Sequence, residues 1–251
     1  MGIVRITKTT KHTETTKRRE RGHEETTMVL TPSDIARLMD LSAVRTDVSE
    51  QEIRELASLA RQYGVIAAFP MPCYTALVRE LLEGSGVLTG GVVGFPSGSH
   101  TTSIKVAEAR EQLAAGAQEL DMVCNVGWLL SGRHAGVRDD IRAVVQAAAP
   151  TPVKVILETH FLNDDQIRTG AELCVEAGAA WVKTATGWPA TGATAHNISL
   201  IKSVVGERAA VKAAGGIRDL ATLLELYDLG ARRFGISAAS GRKILDQAAA
   251  R

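Results

Sequence analysis

The sequence predicts a single (β/α)8 (TIM) barrel preceded by a polar N-terminal extension. Three observations predict it. Eight short apolar runs recur along the chain, amphipathic segments lie between them, and the length of 251 residues suits one such barrel. A doubly wound open sheet is the competing architecture. It would normally carry a Gly-rich dinucleotide loop after its first strand, and DLSAVRTD stands there instead.

Residues 1–27 are rich in Thr, Lys, Arg and Glu and nearly free of apolar side chains after Ile6. Such a stretch buries too little surface to offset its ordering entropy, so it reads as a solvated extension. A basic RNA-binding arm is the alternative, and the interspersed acids weigh against it. The barrel is expected over residues 28–251.

Within the barrel the predicted strands are ARLMDL (36–41), VIAAFP (65–70), LTGGVVGFP (88–96), ELDMVCNV (119–126), VKVILET (153–159), WVKTAT (181–186), AAVKAAGG (209–216) and RRFGIS (232–237). Each is short, aliphatic and ended by Gly, Pro, Ser or Thr, as buried parallel strands are. SEQEIRELASLARQYG (49–64) reads as a helix with a capping box, Ser49 to Glu52, and a glycine stop at Gly64. Its Ile53, Leu56, Leu59 and Ala60 share one face. Helical periodicity returns in SIKVAEAREQLAAGA, DDIRAVVQAAA, NDDQIRTGAELCVEAGA, AHNISLIKSVVG, DLATLLELYDLGA and AASGRKILDQAAA. Several of these stop at an AGA or LGA element just before the next strand.

A formal net charge of +1 gives no general attraction to nucleic acid or to an anionic membrane. No apolar run reaches the roughly 18 residues of a membrane span, and the first segment has no secretory core, so a cytoplasmic protein is expected. Cys73, Cys124 and Cys174 are odd in number and widely spaced. That pattern fits free thiols in a reducing compartment rather than disulfides or a zinc site.

Barrel active sites lie at the C-terminal ends of the strands. Three charges interrupt apolar runs there: Asp121 on strand 4, Lys183 on strand 6 and Lys212 on strand 7. Burial and a neighbouring cation both favour the neutral form of a lysine, and a neutral amine is what attacks a carbonyl to make a Schiff base. An aspartate beside the pair would relay protons. A purely structural ion pair, Asp121 with Lys183, is the alternative use of the same residues. A second constellation suits an anion. Thr186-Gly187 follows strand 6, Gly215-Gly216-Ile217-Arg218 follows strand 7, and Gly235-Ile236-Ser237 leads into a helix. Glycine backbone N–H groups and a helix N-terminus together favour phosphate. Glu158, on strand 5, is open to two roles, positioning water or pairing with a lysine. His160 reads as a solvated loop residue, while Trp128 and Trp188 either pack or wall the site.

These motifs resemble those of the deoxyribose-phosphate aldolase family. WVKTATGW is similar to its Schiff-base motif, AVKAAGGIRD to its second-lysine motif, and AQELDMVCNVGWL to the segment carrying its relay aspartate. VVGFPSGSHTTSIKVAEA and PVKVILET resemble two further strands, and the likeness runs in order over about residues 33–245. The resemblance implies a lyase that needs no cofactor or metal. It would cleave 2-deoxy-D-ribose 5-phosphate reversibly to acetaldehyde and D-glyceraldehyde 3-phosphate, with Lys183 forming the imine, Lys212 depressing its proton affinity and Asp121 relaying protons. Gly187, Gly215, Gly216, Gly235 and Ser237, with Thr186, would hold the phosphate, and Asp40 and Ser42 in LMDLS match polar substrate-binding positions. The implied partners are small phosphorylated sugars and aldehydes, and a homodimer is plausible for such barrels. The chain departs from the family pattern where Arg45 replaces a common lysine, where AFPMPCY places Phe69 at a cysteine position and Met71 at one often Asn or Tyr, and where Ser237-Ala238 shortens a serine pair. It also lacks the C-terminal tyrosine of some members. Two other readings fit the residues: a Schiff-base barrel aldolase for a different phosphorylated sugar, and a non-catalytic phosphate-binding barrel.

Overall fold

The computed structural model describes residues 30–250; the extension expected over 1–27 lies outside the described residues. Eight strands form in sequence order: β1 (Met39–Ala43), β2 (Ala67–Pro70), β3 (Leu88–Val93), β4 (Glu119–Val123), β5 (Val153–Ile156), β6 (Trp181–Lys183), β7 (Ala210–Ala214) and β8 (Ala231–Ser237). All are parallel, and β8 pairs back onto β1, with Asp40 opposite Gly235 and Ser42 opposite Ser237. That closure makes the chain a (β/α)8 barrel and removes the open-sheet alternative.

Helix α1 (Pro32–Ala36) precedes β1, the crossovers hold α2 (Glu50–Tyr63), α3 (Thr75–Leu81), α4 (Thr102–Ala114), α5 (Val126–Leu130), α6 (His134–Ala148), α7 (Asp164–Glu176), α8 (Ala195–Val205) and α9 (Leu220–Asp228), and α10 (Ala238–Ala249) follows β8. Helix α2 forms as its sequence requires. The Ser49 side chain accepts from the Glu52 N–H, Glu52 returns the bond to the Ser49 N–H, and Gly64 takes the left-handed conformation at the C-cap. The AGA and LGA elements each place a left-handed glycine, Gly116, Gly178 or Gly230, directly after a helix end.

The first strand starts three residues later than the sequence reading placed it. Thr31 caps a short helix with Pro32 at its first position, and that turn consumes Ala36 before the chain extends at Met39. Strand β6 is also shorter than expected, ending at Lys183. Beyond it the Thr184 hydroxyl donates to the Ala214 carbonyl and accepts from the Ala214 N–H, so a side chain takes over the ladder's bonds.

The main apolar core lies between the barrel and its helices. Leu41, Leu120, Met122, Val155, Val182, Val211, Ala213, Phe234 and Ile236 face it from the strands, and Ile53, Leu56, Ile141, Ile198 and Leu223 meet them from the helices. Because side chains alternate across a strand, the residues between these point into the barrel. The interior holds an apolar group of Ala67, Phe69 and Val92, flanked by Val44, Leu88 and Phe95. It also holds the buried charged side chains Asp40, Glu119, Asp121, Lys154, Lys183, Lys212 and Arg233. One buried ion pair lies outside the barrel. Lys105 of α4 donates to Asp140 of α6 at 2.7 Å and to the Val123 carbonyl at 3.0 Å, tying two helices to the end of β4.

Candidate active site

Alternation along β1, β4, β5, β6 and β7 aims Asp40, Asp121, Lys154, Lys183 and Lys212 into one space. Asp121 is the hub. Its Oδ2 accepts from Lys183 Nζ at 2.7 Å and from Lys212 Nζ at 2.6 Å, while its Oδ1 lies 3.4 Å from Lys154 Nζ. Lys212 has a second carboxylate, Asp40 Oδ2 at 2.6 Å. Deeper still, Glu119 accepts from Lys154 at 2.7 Å and takes two bonds from the Arg233 guanidinium, which also donates to Asp40 at 2.7 Å. Arg233 stacks 5.1 Å above the Trp181 ring, closing the floor.

Arg233 reaches the interior through an irregularity. Ala231 faces the outer core, so strict alternation would turn Arg233 outward as well. A register shift between Val211 and Lys212 in the β7–β8 ladder resets the pattern, leaving Arg232 exposed and Arg233 buried.

The cluster has an uneven charge balance. Asp40, Glu119 and Asp121 face Lys154, Lys183, Lys212 and Arg233, one cation more than the carboxylates neutralise. Burial disfavours the surplus charge, most of all on the amine that is least well paired. Lys183 has only Asp121, and shares that oxygen with Lys212. Its ammonium is accordingly disfavoured: burial, reinforced by the Lys212 charge and only partly offset by Asp121, brings Lys183 down to about 8. Lys212 goes the other way, because Asp121 and Asp40 together outweigh its burial. Burial would raise Asp121, but the ammonium groups around it prevail and hold its carboxyl well below the usual carboxylate range.

Two adjoining cavities lie above this cluster. The inner one, about 330 Å³, is lined by Asp40, Asp121, Lys183 and Lys212 below and by Phe69, Val92 and Phe95 at the side. The outer one, about 760 Å³, is a bowl of loop backbone comprising Gly187, Gly215, Gly216, Ile236 and Ser237, with Arg218, Ser240 and Trp188 at its rim. Ser42, Val44, Thr186 and Gly235 border both. The bowl also receives the start of α10, where the Ser237 side chain accepts from the Ser240 N–H. Every site residue expected from the sequence therefore lies on one or other of two adjoining cavities.

Sequence reasoning missed the layer beneath. Lys154 in VKVIL interrupts an apolar run just as Lys183 does, and that signal was available. It also missed how Glu158 is used. Both of its oxygens accept from Thr186, one from the backbone N–H and one from the hydroxyl, so its hydrogen bonds go to Thr186 and not to a lysine. Glu158 is the one non-glycine residue with positive φ among the described residues, at 56°. Backbone strain of this kind costs about 1–3 kcal/mol and is held only where the surroundings demand it. Here it swings the carboxylate under Thr186, and burial raises its proton affinity. Trp188 walls the site, its indole N–H donating to the Val44 carbonyl at 2.8 Å and its ring meeting Phe95 edge-on. Trp128 packs under the Arg133 guanidinium instead, and His160 is exposed, bonded to Thr191.

Among the described residues no helix is long and apolar enough to cross a membrane. Residues 34–247 match the model of the DeoC/LacD family of aldolases. The chain is 50% identical over 225 residues to a deoxyribose-phosphate aldolase of Klebsiella pneumoniae, a match covering 88% of this chain and 90% of that protein. It is 48% identical over 222 residues to the deoxyribose-phosphate aldolase of Sinorhizobium medicae, with the same coverage. The tetrameric deoxyribose phosphate aldolase of Aeropyrum pernix superposes with a TM-score of 0.80 at 31% identity, over 86% of this chain and 92% of that one.

Proposed function

The chain belongs to the DeoC/LacD family of aldolases and is a lyase of the deoxyribose-phosphate aldolase type; from that premise we propose that it cleaves 2-deoxy-D-ribose 5-phosphate to acetaldehyde and D-glyceraldehyde 3-phosphate, reversibly, through an imine on Lys183. The observation that carries the proposal is the unequal pairing of the two lysines. Lys212 is held by two carboxylates and keeps its proton, and Lys183 is held by one shared oxygen and releases its proton readily.

In the cleavage direction the neutral Lys183 amine adds to the C1 aldehyde of the open-chain sugar and loses water to give an iminium. The C3 hydroxyl gives up its proton to the relay headed by Asp121. The C2–C3 bond breaks, its electron pair moves into the iminium as an enamine, and C3 becomes the aldehyde of the three-carbon phosphate. The enamine takes a proton at C2 and water releases acetaldehyde. Lys212 supplies and recovers protons through Asp121, and such acid–base help is worth about 100- to 10,000-fold. Gly187, Gly215, Gly216, Gly235, Ser237 and Thr186 take the phosphate at the head of α10, where backbone N–H groups favour an anion. Asp40 acts by fixing Lys212, and Ser42 borders the substrate between the cavities.

Acetaldehyde followed by borohydride should reduce an adduct onto Lys183, found by peptide mass mapping, and deoxyribose 5-phosphate should be cleaved. An adduct without cleavage of that sugar would redirect the assignment to another phosphorylated acceptor; a chain with neither would be a phosphate-binding barrel. Because the free amine reacts, imine formation should rise with pH and level off above about 8. A trapping rate flat from pH 6 to 9 contradicts this. The proposed setting is the cytoplasm, and sedimentation velocity would test the expected homodimer.

A further inference from the structure

Among the described residues, Phe69 is the one aromatic ring set over the buried ammonium groups. Its ring centroid lies 4.3 Å from Lys212 Nζ and 4.8 Å from Lys154 Nζ, and the residue is 2% exposed. The fit is reciprocal with β3. A Cβ added to Gly90 would fall 2.3 Å from the ring carbons, so the ring occupies the space that glycine leaves. Asp121 is the acid that meets both of these amines, through Oδ2 to Lys212 and Oδ1 to Lys154, and the ring is a second group that both share.

We propose that Phe69 is a positioning residue whose π face holds the charge on Lys212, so that the cluster's mobile proton leaves Lys183 rather than Lys212. The inference rests on the imine reading of Lys183 and adds the reason why the choice between two neighbouring lysines is stable. The charged groups around Lys212 are Asp40 on β1, Glu119 and Asp121 on β4, Lys154 on β5, Lys183 on β6 and Arg233 on β8, with Glu158 beyond Lys183. Among them the carboxylates of Asp40 and Asp121 are already shared with other cations. A quadrupole facing a desolvated ammonium adds attraction without adding a group that titrates. Electrostatic help of this kind favours Lys212 as the proton's resting place and keeps the reactive amine at 183 uncharged near neutral pH.

The test replaces Phe69 by 3,4,5-trifluorophenylalanine, which keeps the shape and weakens the quadrupole, and separately by Leu. In both variants the acid limb of kcat/KM, and of borohydride trapping at Lys183, should move up by about 0.5–1 pH unit, while the plateau at high pH stays within about threefold of wild type. Gly90→Ala should push the ring aside and give the same shift, and combining Gly90→Ala with Phe69→Leu should add little further. A limb that stays put in the fluorinated variant, or activity lost equally at every pH, would overturn the role and leave Phe69 as packing. Failure of the wild-type protein to trap acetaldehyde at Lys183 would instead overturn the imine reading, so the two outcomes are separable.

Discussion

The inner cavity and the outer bowl adjoin, yet they are built on opposite plans. Inside, the working groups are charged side chains on strands, each fixed by a partner on a different strand: Asp121 by Lys183 and Lys212, Asp40 by Lys212 and Arg233, Glu119 by Lys154 and Arg233. Outside, the surface is mostly backbone of glycine-rich loops together with one helix start. The difference teaches where precision resides. Chemistry that depends on which of two amines is charged needs rigid, mutually constrained side chains, whereas recognition of a phosphate needs only N–H groups facing inward, which loops supply.

Substitutions should therefore divide by region. Lys183→Met is expected to lower kcat for deoxyribose 5-phosphate cleavage by more than about 10,000-fold, because the proposed nucleophile has no substitute. The same variant should be no less stable than wild type. A lysine whose folded-state value is lowered to about 8 is penalised while charged, so the penalty is full at low pH and fades as pH rises past 8 toward the ordinary 10.5. Below pH 8 the variant should gain stability, visible as a Tm higher by roughly 2–4 °C for each kcal/mol recovered, and the gain should vanish near pH 11. A Tm that falls at pH 6 would show that Lys183 holds the barrel together.

Asp121→Asn comes next, with kcat reduced about 100- to 10,000-fold as the hub that arranges both amines loses its charge. Retention of full activity would break the idea that the inner region acts as a unit. In the outer region, Gly192→Ala would drive a Cβ to within 2.6 Å of the Ala214 carbonyl and 2.9 Å of the Gly215 Cα. We expect KM for the phosphorylated sugar to rise about 10- to 100-fold as the bowl shifts, with acetaldehyde trapping at Lys183 unchanged. Equal damage to both readouts would mean that the two cavities are not separable. The smallest change is expected for Ser237→Ala. It removes one hydroxyl from a surface made mainly of backbone, and KM for the sugar phosphate should rise only about two- to fivefold.

The same contrast decides what the sequence revealed. Lone charges in apolar runs disclosed Asp121, Lys183 and Lys212, and glycine punctuation disclosed the bowl, since both signals are local. Glu119 and Arg233 stayed hidden because they sit near strand starts, where a charge usually faces solvent. Arg233 in addition needs the register shift against β7 to turn inward, which pairing alone determines. Phe69 stood out in the sequence only as a departure from the resembled family pattern, and the neighbouring strand, with Gly90 beneath the ring, shows what it faces. Gly192 lies in a polar stretch whose importance comes from a carbonyl of β7, distant in sequence. The late start of β1 was legible from Thr31 and Pro32, but the apolar run through Ala36 masked it.

Glu119, Lys154 and Arg233, with Trp181 under the guanidinium, form an ion-paired layer beneath the inner cavity, and among the described residues the bowl adjoins that cavity at Ser42, Val44, Thr186 and Gly235. This layout bears on the order of traffic. On the proposed mechanism, a two-carbon fragment held on Lys183 below the bowl would enter before its phosphorylated companion and leave after it. Inhibition by each product should therefore follow an ordered rather than a random pattern, a kinetic signature set by the masonry at the opposite end of the barrel.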